Sequence, residues 1–226
     1  MPRFLVAVFC LLLLPLSACV QSGQQTEQQT LVDRATLSVQ EMLGDPDGND
    51  ARNLLRRAKG VIVCPRIFKA GFILGAEGGS CVMSGRVGQG WSNPAFYGFG
   101  SGSVGFQIGI QDAQIIFIVL TDKGLQALLD SQFKIGADAS VAVATIGAGI
   151  SGSTTAAFKA DIVAFSNTRG LFVGVSLDGS LLSSRSEWNQ TYYGQPMGAQ
   201  QLVISNQGNN PGAQPLREML GRFSGG

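Results

Sequence analysis

Few residues in this sequence could carry out chemistry, and their types exclude most catalytic mechanisms. No histidine occurs among the 226 residues, so the commonest general base and the usual partner of a serine or cysteine nucleophile are absent. Asp138, Asp161, Asp178 and Glu187 are spread through strand-like sequence without a close pair. Turn or cap roles explain these carboxylates without catalysis. We therefore expect a protein that is not an enzyme.

Two of the four cysteines are candidates for a disulfide. Cys64 ends the apolar run VIVC and Cys81 lies in GGSCVMSG, so two neighbouring antiparallel strands could bring them together. In an oxidising compartment the closed loop would contribute about 3 kcal/mol. Two small buried thiols are nearly as good an explanation, because the Cα separation cannot be read from sequence. We expect no metal, since two cysteines without histidine supply too few ligands.

The stretch YGFGSGSVGFQIG, which begins at Tyr97, contains Gly100, Gly102 and Gly105 in the spacing G-x-G-x-x-G. This spacing binds the pyrophosphate of a dinucleotide when the glycines leave a strand and open a helix. Here apolar residues alternate after the glycines, which is the period of a strand. We therefore expect no dinucleotide or other cofactor. We interpret the glycines as positions where two layers of backbone approach closely within a sheet.

The first residues have the pattern of an export signal that ends in a lipid-attachment site. Arg3 precedes an apolar run over residues 4–14 that is too short to span a bilayer as a helix. The run leads to LSAC, which resembles the lipobox of bacterial lipoproteins. That resemblance implies that residues 1–18 are removed as a signal peptide. It also implies that Cys19 becomes the first residue and carries acyl chains, such as palmitate, on its sulfur and amine.

Acylation would anchor the protein to a membrane without spanning it. Each buried CH₂ contributes about 0.8 kcal/mol, so two or more acyl chains give stable attachment. Val20 is not the aspartate that resembles an inner-membrane retention signal, which favours the outer membrane of the cell envelope, facing the periplasm. Loss of Arg3 takes one of the 16 basic residues and none of the 15 acidic ones. The near-zero net charge gives no global attraction to nucleic acid.

Hydrophobic periodicity predicts an α+β fold, a largely antiparallel, strand-rich single domain with two N-terminal helices and one inserted helix. The N-terminal helices are predicted at 31–43 and 50–60, and Thr121 or Asp122 caps the inserted helix TDKGLQALLDS. The predicted organisation has four parts: a signal peptide (1–18), a lipidated N-terminus with a flexible linker (19–30), the folded domain (31–204) and a flexible tail with a short amphipathic segment (205–226).

From AKGVIVCPRIFKAGF to YYGQPMGAQQLV the chain resembles the SYLF lipid-binding domain family, which occurs in bacterial envelope proteins and in eukaryotic membrane-trafficking proteins. The most specific matching pieces are KAGF at 69–72, GADASVAV at 136–143, AFSNTRGLFVGVSLDGS at 164–180 and YYGQP at 192–196. The resemblance implies a compact domain of sheets and helices that binds membrane phospholipid. A fungal relative is known for binding actin, a partner that we do not transfer to a periplasmic lipoprotein.

The clearest charge asymmetry lies between residues 52 and 69, where six basic residues occur without an acid. They are Arg52, Arg56, Arg57, Lys59, Arg66 and Lys69. Cations near anionic lipid contribute about 1 kcal/mol each, and arginine binds phosphate bidentately. Phe68 and Phe72 could add apolar contact. We take this set as the candidate headgroup site, although a solvated face that complements a helix dipole explains it too.

A second hypothesis makes the anchored domain an envelope scaffold that binds a protein partner. The basic residues between 52 and 69 suit an acidic protein surface nearly as well as they suit phosphate. The sequence does not decide between these two partners.

Overall fold

The structure is a computed structural model that describes residues 26–71, 74–104, 109–146, 159–170, 177 and 179–225. Several predictions fall outside these residues: the signal peptide, the acylation of Cys19, most of the linker, and the roles of Phe72, Gly105 and Asp178. Within the described part the fold is a single α+β domain, as predicted. No helix in that part is long and apolar enough to cross a membrane.

Six α-helices are described. They are α1 (Glu27–Gly44), α2 (Asn49–Arg56), α3 (Asp122–Leu129), α4 (Ser186–Tyr193), α5 (Ala199–Val203) and α6 (Gln214–Ser224). The predicted cap of α3 is confirmed, because the side chain of Thr121 accepts a hydrogen bond from the Gly124 amide at 3.0 Å. Helix α1 begins four residues before the predicted start, since the Thr26 side chain caps it by accepting from the Gln29 amide. Residues 27–30 are therefore helix rather than linker.

Nine strands form one sheet in the order β6-β9-β4-β2-β1-β5-β8-β7, with β3 paired to β2. The strands are β1 (Gly60–Gly71), β2 (Leu74–Val87), β3 (Gly90–Trp91), β4 (Ala95–Val104), β5 (Gly109–Val119), β6 (Gln132–Lys134), β7 (Val141–Thr145), β8 (Ile162–Gly170) and β9 (Leu181–Ser184). All pairs are antiparallel except β7 with β8. The largely antiparallel character was therefore predicted correctly.

Alternate residues of the strands build two separate cores. On β1, Val61 and Val63 face one core, and Ile62 and Cys64 face the other. The first core contains the apolar stripes of α1, α2 and α6, and we call this side of the sheet the α1 face. The second core contains Leu125 and Leu128 of α3 and the buried residues of α5, and we call this side the α3 face. A sheet covered on both sides explains the continuous apolar run IIFIVL of β5.

The carboxyl-terminal residues correct one prediction. Residues 205–226 were expected to form a flexible tail, but Leu216 and Leu220 of α6 are fully buried against α1 and α2. The side chain of Asn210 caps the short 3₁₀ turn before α6 by accepting from the Gly212 amide. The amphipathic segment was placed correctly, and its apolar side completes the first core.

Cys64 and Cys81 form a disulfide between β1 and β2, with their Cα atoms 4.2 Å apart. The bond lies where the pairing register of the two strands shifts, between Val63 and Arg66. Both cysteines are fully buried on the α3 face. Of the two alternatives left by the sequence, the structure therefore has the bonded pair.

Candidate functional site

The six predicted basic residues do not form one patch. Arg52, Arg56, Arg57 and Lys59 lie on α2 or just before β1, whereas Arg66 and Lys69 lie near the other end of β1. Ten residues of extended strand separate Lys59 from Lys69, which is about 33 Å at the rise of a β-strand. The sequence grouped these residues because they are close along the chain, and the extended strand separates them in space.

The guanidinium of Arg52 is engaged in hydrogen bonds within the fold. It donates hydrogen bonds to the backbone carbonyls of Leu43 and Asp45, the latter at 2.8 Å, and to the Asn49 side chain at 2.5 Å. The last carbonyls of a helix lack partners within the helix, so these bonds cap the carboxyl end of α1. This residue is not available as a free headgroup ligand.

Three more of the six basic residues have acidic partners. Lys59 lies 3.2 Å from Asp122, with both side chains exposed. Arg66 donates two hydrogen bonds to Asp112, at 2.8 and 3.0 Å. This pair raises the pKa of Arg66 and lowers the pKa of Asp112, chiefly through the side-chain hydrogen bond. These surface pairs weaken the attraction of both cations for an anionic surface, although water and salt still reach them.

Lys69 is paired on the opposite side of the sheet. It lies directly across from Glu77 in the β1–β2 register, and its Nζ is 2.7 Å from the Glu77 carboxylate. The two side chains are only 15% and 6% exposed and share the α3 face with Ile67. Lys69 therefore belongs to an internal ion pair, and it does not contribute to a basic outer surface.

The remaining predicted cations belong to a cluster at one end of the molecule that we call the basic end: Arg56, Arg57, Arg86 and Arg222. Arg86 organises it, donating to the Leu55 carbonyl at 2.7 Å and to the Ser224 hydroxyl at 3.1 Å while its guanidinium lies 4.1 Å from the Trp91 ring. Desolvation lowers the pKa of Arg86. Arg56 and Arg57 are exposed, and so is Arg222 in the last turn of α6. Arg86 and Arg222 were not predicted as part of this site, because both lie far along the chain from α2.

A second surface, of which only Arg66 and Phe68 were predicted, lies between α1 and the α1 face of the sheet. Two cavities of about 670 Å³ and 470 Å³ meet there, and both are lined by Arg34, Pro65 and Arg66. Phe68 lines the larger cavity and Leu37 the smaller one, and their exposed fractions are 41% and 63%. We call this surface, defined by these five residues, the Arg34 groove. It combines cations with exposed apolar side chains, which is the chemistry of an amphiphile site.

Arg34 is the cation that distinguishes this groove. Within the described part of the chain, no hydrogen bond or ion pair engages its exposed guanidinium, in contrast to Arg66 beside it. The sequence contained one usable signal, because Arg34 and Leu37 are three residues apart on a helix and so share an exposed side. Asp33 precedes Arg34, so no run of basic residues marks this position in the sequence.

Arg185 and Trp188 close the groove on the side of α4. The Arg185 guanidinium lies 3.7 Å from the centre of the Trp188 ring and donates to the Ser80 hydroxyl at 3.2 Å. It also pairs with Glu187 at 3.3 Å. Ser80 and Trp188 line the larger cavity, so this stacked pair fixes the position of one groove wall.

The Arg34 groove runs beside α1 from Glu27 to Glu41, and the basic end lies beyond the carboxyl end of that helix. The groove is lined by Glu27 and Thr30 at the start of the helix. At the other end of the helix, Arg52 caps the Leu43 carbonyl, and Gly44 lies against Phe223 of α6. The 18 residues of α1 extend about 27 Å at the rise of an α-helix. Arg34 lies ten residues before Gly44, so about 15 Å of helix separates it from the carboxyl end of α1.

The described residues contain no group of three or more histidine, cysteine, aspartate or glutamate side chains that could hold a metal ion. The predicted carboxylates Asp138 and Asp161 have structural partners. Asp138 accepts from the Lys134 amide, and Asp161 accepts from the Thr121 hydroxyl. Their turn and cap roles agree with the sequence interpretation.

The Ysc84 family model, described as Las17-binding protein actin regulator, matches residues 100–223. SH3 domain-containing YSC84-like protein 1 of Homo sapiens is 31% identical over 181 residues, which cover 79% of this chain and 53% of the human protein. The Xenopus laevis protein of the same name is 28% identical over 213 residues, covering 93% of this chain and 62% of the frog protein.

A yeast relative extends the comparison. LAS seventeen-binding protein 3 of Saccharomyces cerevisiae is 30% identical over 172 residues, which cover 74% of this chain and 37% of the yeast protein. The chain thus spans about half the length, or less, of the human and yeast relatives. The names of the relatives therefore describe proteins that contain more than the region shared with this chain.

Proposed function

Because this chain belongs to the Ysc84 family, whose domain is also called SYLF, we propose that it is a lipid-anchored protein that binds phospholipid at the cell envelope. The observation that carries the proposal is the Arg34 groove, where an arginine without a described partner lies between two cavities beside exposed Phe68 and Leu37. An anionic headgroup suits Arg34, and the interfacial region of a bilayer suits the apolar side chains. The proposed role is binding, without catalysis.

The proposed anchor favours the groove over the basic end as the surface that faces the membrane. Seven residues, 19–25, connect Cys19 to Thr26, and at full extension they span about 25 Å. The basic end is about 27 Å from the start of α1, measured along the helix. A membrane at the basic end would require this connection to be stretched to its limit. A membrane at the groove does not require the connection of residues 19–25 to be extended. Tethering then raises the local lipid concentration, so weak contacts with lipid suffice.

A vesicle experiment tests the proposal with a soluble chain of residues 20–226, which retains every described element. We expect it to sediment with vesicles that contain phosphatidylglycerol and to be released by salt. Arg34→Gln should weaken binding about fivefold, the effect of losing one cation near an anionic surface. Arg222→Gln, an exposed arginine at the basic end, is the matched control and should bind as the unchanged chain does. Equal binding to neutral vesicles contradicts the proposal.

The second candidate function is a scaffold that binds an acidic protein partner through the basic end. Its support is the position of Arg56, Arg57 and Arg222 at the end of α1 away from the proposed anchor. Crosslinking in cells tests it: replacement of all three by glutamine should abolish a discrete adduct while membrane attachment stays unchanged. If no adduct depends on these arginines, the scaffold hypothesis fails.

A further inference from the structure

The α1 face of the sheet has bare backbone beside the Arg34 groove. Gly78 of β2 lies directly across from Gly100 of β4, and Ala76 lies across from Gly102. Among the residues that the structure describes, a Cβ atom added at Gly100 or Gly102 would meet no atom within 4 Å, and at Gly78 its nearest neighbour would be the Phe99 carbonyl at 3.8 Å. No backbone layer from the described part of the chain therefore packs on Gly100 or Gly102, contrary to the expectation from sequence.

Glycine in the middle of a strand is destabilising, so its presence in open space needs another reason. Gly98, the preceding glycine on this face, is explained by packing, because a Cβ atom there would lie 3.7 Å from the Arg185 side chain. Gly100 and Gly102 have no such neighbour among the residues that the structure describes. Because these two glycines lack side chains, the space above them is open for a ligand among the described residues.

Apolar side chains border this bare strip on both sides. Phe68 of β1 pairs with Gly78, and Leu181 of β9 pairs with Gly100, so all four residues lie in one row across the sheet. Phe68 is 41% exposed and Leu181 is 39% exposed. Three strand spacings separate the two apolar residues, about 14 Å. We call this feature the glycine trough, with Gly78, Gly100 and Gly102 as its floor and Phe68 and Leu181 as its walls.

The trough opens at one end beside cations. Phe68 and Gly78 also line the larger cavity of the Arg34 groove, so the trough opens directly into that cavity. At this end Arg34, Arg66 and Arg185 lie within reach, whereas the floor carries no polar side chain. The backbone groups of the floor are already paired in the β2–β4 ladder, so a hydrocarbon chain placed on them leaves no polar group unsatisfied. This polarity matches an anionic amphiphile lying along the strands.

We propose that the glycine trough binds an acyl chain of a single phospholipid molecule, whose anionic headgroup lies in the Arg34 groove. The inference rests on the proposed function and makes it more specific, because the protein would hold an individual lipid in addition to contacting a membrane surface. From Gly100 to Gly102 the open floor is about 7 Å long, enough for part of one chain. A second occupant, an apolar protein segment, is an outcome that the test below separates.

The test uses residues 20–226 and calorimetric titration with dihexanoylphosphatidylglycerol below the concentration at which it forms micelles. Gly100→Leu places a side chain on the open floor and should weaken binding about tenfold, the loss expected when about two methylene groups stay in water. Glycerol phosphate, which has the headgroup but no chain, should bind the variant and the unchanged chain equally. Gly221→Ala, at another open glycine on α6, is the control and should bind both ligands normally.

The outcomes separate the trough from the proposed function. If Gly100→Leu binds the short-chain lipid as tightly as the unchanged chain, while both still sediment with anionic vesicles, the trough proposal is overturned and membrane binding stands. If the unchanged chain binds neither vesicles nor the short-chain lipid, the proposed function itself fails.

Two further results complete the test. The melting temperature of Gly100→Leu should not fall, because the added side chain meets no described neighbour. If the melting temperature of Gly100→Leu falls, the variant Leu181→Ser is used instead, because it removes an exposed apolar side chain that borders the trough. Unchanged affinity of Leu181→Ser for the short-chain lipid overturns the proposal. Crosslinking separates the second occupant. If the unchanged chain forms a crosslink with a protein, and Gly100→Leu loses that crosslink but keeps full lipid affinity, the occupant of the trough is a protein segment and the lipid proposal is overturned.

Discussion

The basic residues of this protein differ in what they contact. Arg52 caps a helix, Lys69 lies in an internal ion pair, and Arg34 has no partner in the described part of the chain. Arg66 meets Asp112, which is 46 residues further along, because β1 and β5 are neighbours in the sheet. The partner of a charged residue decides whether its charge is available for binding. That partner is a consequence of strand order, which local sequence does not contain.

Asp161 gives a prediction at the same scale. Its carboxylate accepts hydrogen bonds from the Thr121 hydroxyl at 2.7 Å and from the Ser140 hydroxyl at 2.8 Å, so it joins α3 to the starts of β7 and β8. These bonds lower the pKa of Asp161 to about 2, and the Thr121 bond has the largest effect. The folded-state pKa lies below the unfolded value of about 3.9. The carboxylate therefore stabilises the fold above about pH 4, and this contribution is lost as the pH falls to about 2.

Asp161→Asn should accordingly lower the free energy of unfolding by about 2 kcal/mol at pH 7. Urea unfolding of both proteins between pH 2 and 7 measures the effect, and the difference should shrink as the pH falls below about 4. Asp130→Asn, a change at an exposed position on the surface, is the control and should have little effect. A difference between the Asp161 variant and the unchanged protein that does not depend on pH would contradict this origin of the stability.

At the scale of elements, α6 shows what periodicity predicted and what it did not. The spacing of Leu216 and Leu220 predicted a short helix with one apolar side, which is correct. The loop sequence SNQGNNPGAQP suggested a flexible connection, because glycine, asparagine and proline are typical of loops. It did not show that Asn210 and the 3₁₀ turn fix that loop, or that α6 would pack against a helix nearly two hundred residues earlier in the chain.

Leu220→Ala tests whether α6 is part of the core. The side chain is fully buried, so its truncation should reduce the free energy of unfolding by about 2 to 5 kcal/mol. Glu218→Ala, an exposed position on the same helix, should change it by less than about 0.5 kcal/mol. Chemical denaturation measures both variants. Equal stability of the two would mean that α6 lies on the domain without completing its core.

The alternation of the strands was the most reliable signal in the sequence. Residues such as Val61 and Ile62 alternate between two cores, and the apolar stripes of α1 and α2 are buried as predicted. The glycines of β4 show the limit of this kind of prediction. Their strand context was evident from alternation, but whether space above Gly100 is filled or open depends on where α1 and α4 end on the sheet. That information exists only in the assembled fold.

At the scale of the whole molecule, α1 separates two surfaces of different chemistry. The Arg34 groove and the glycine trough adjoin the start of α1, where the connection to the proposed anchor begins. The basic end lies beyond the carboxyl end of α1 and is held together by Arg86. This arrangement allows one side of the protein to contact a membrane while the opposite end contacts a partner. The sequence-based site, which joined residues from both regions, is replaced by these two surfaces.

Amide hydrogen exchange with and without anionic vesicles tests the membrane-facing surface most directly. With residues 20–226 bound to phosphatidylglycerol vesicles, we predict slower exchange in segments 27–37 and 66–69, which line the Arg34 groove. We predict no change in segments 52–57 and 219–225, which form the basic end. Protection confined to the basic end, with unchanged exchange at the start of α1, would contradict the account.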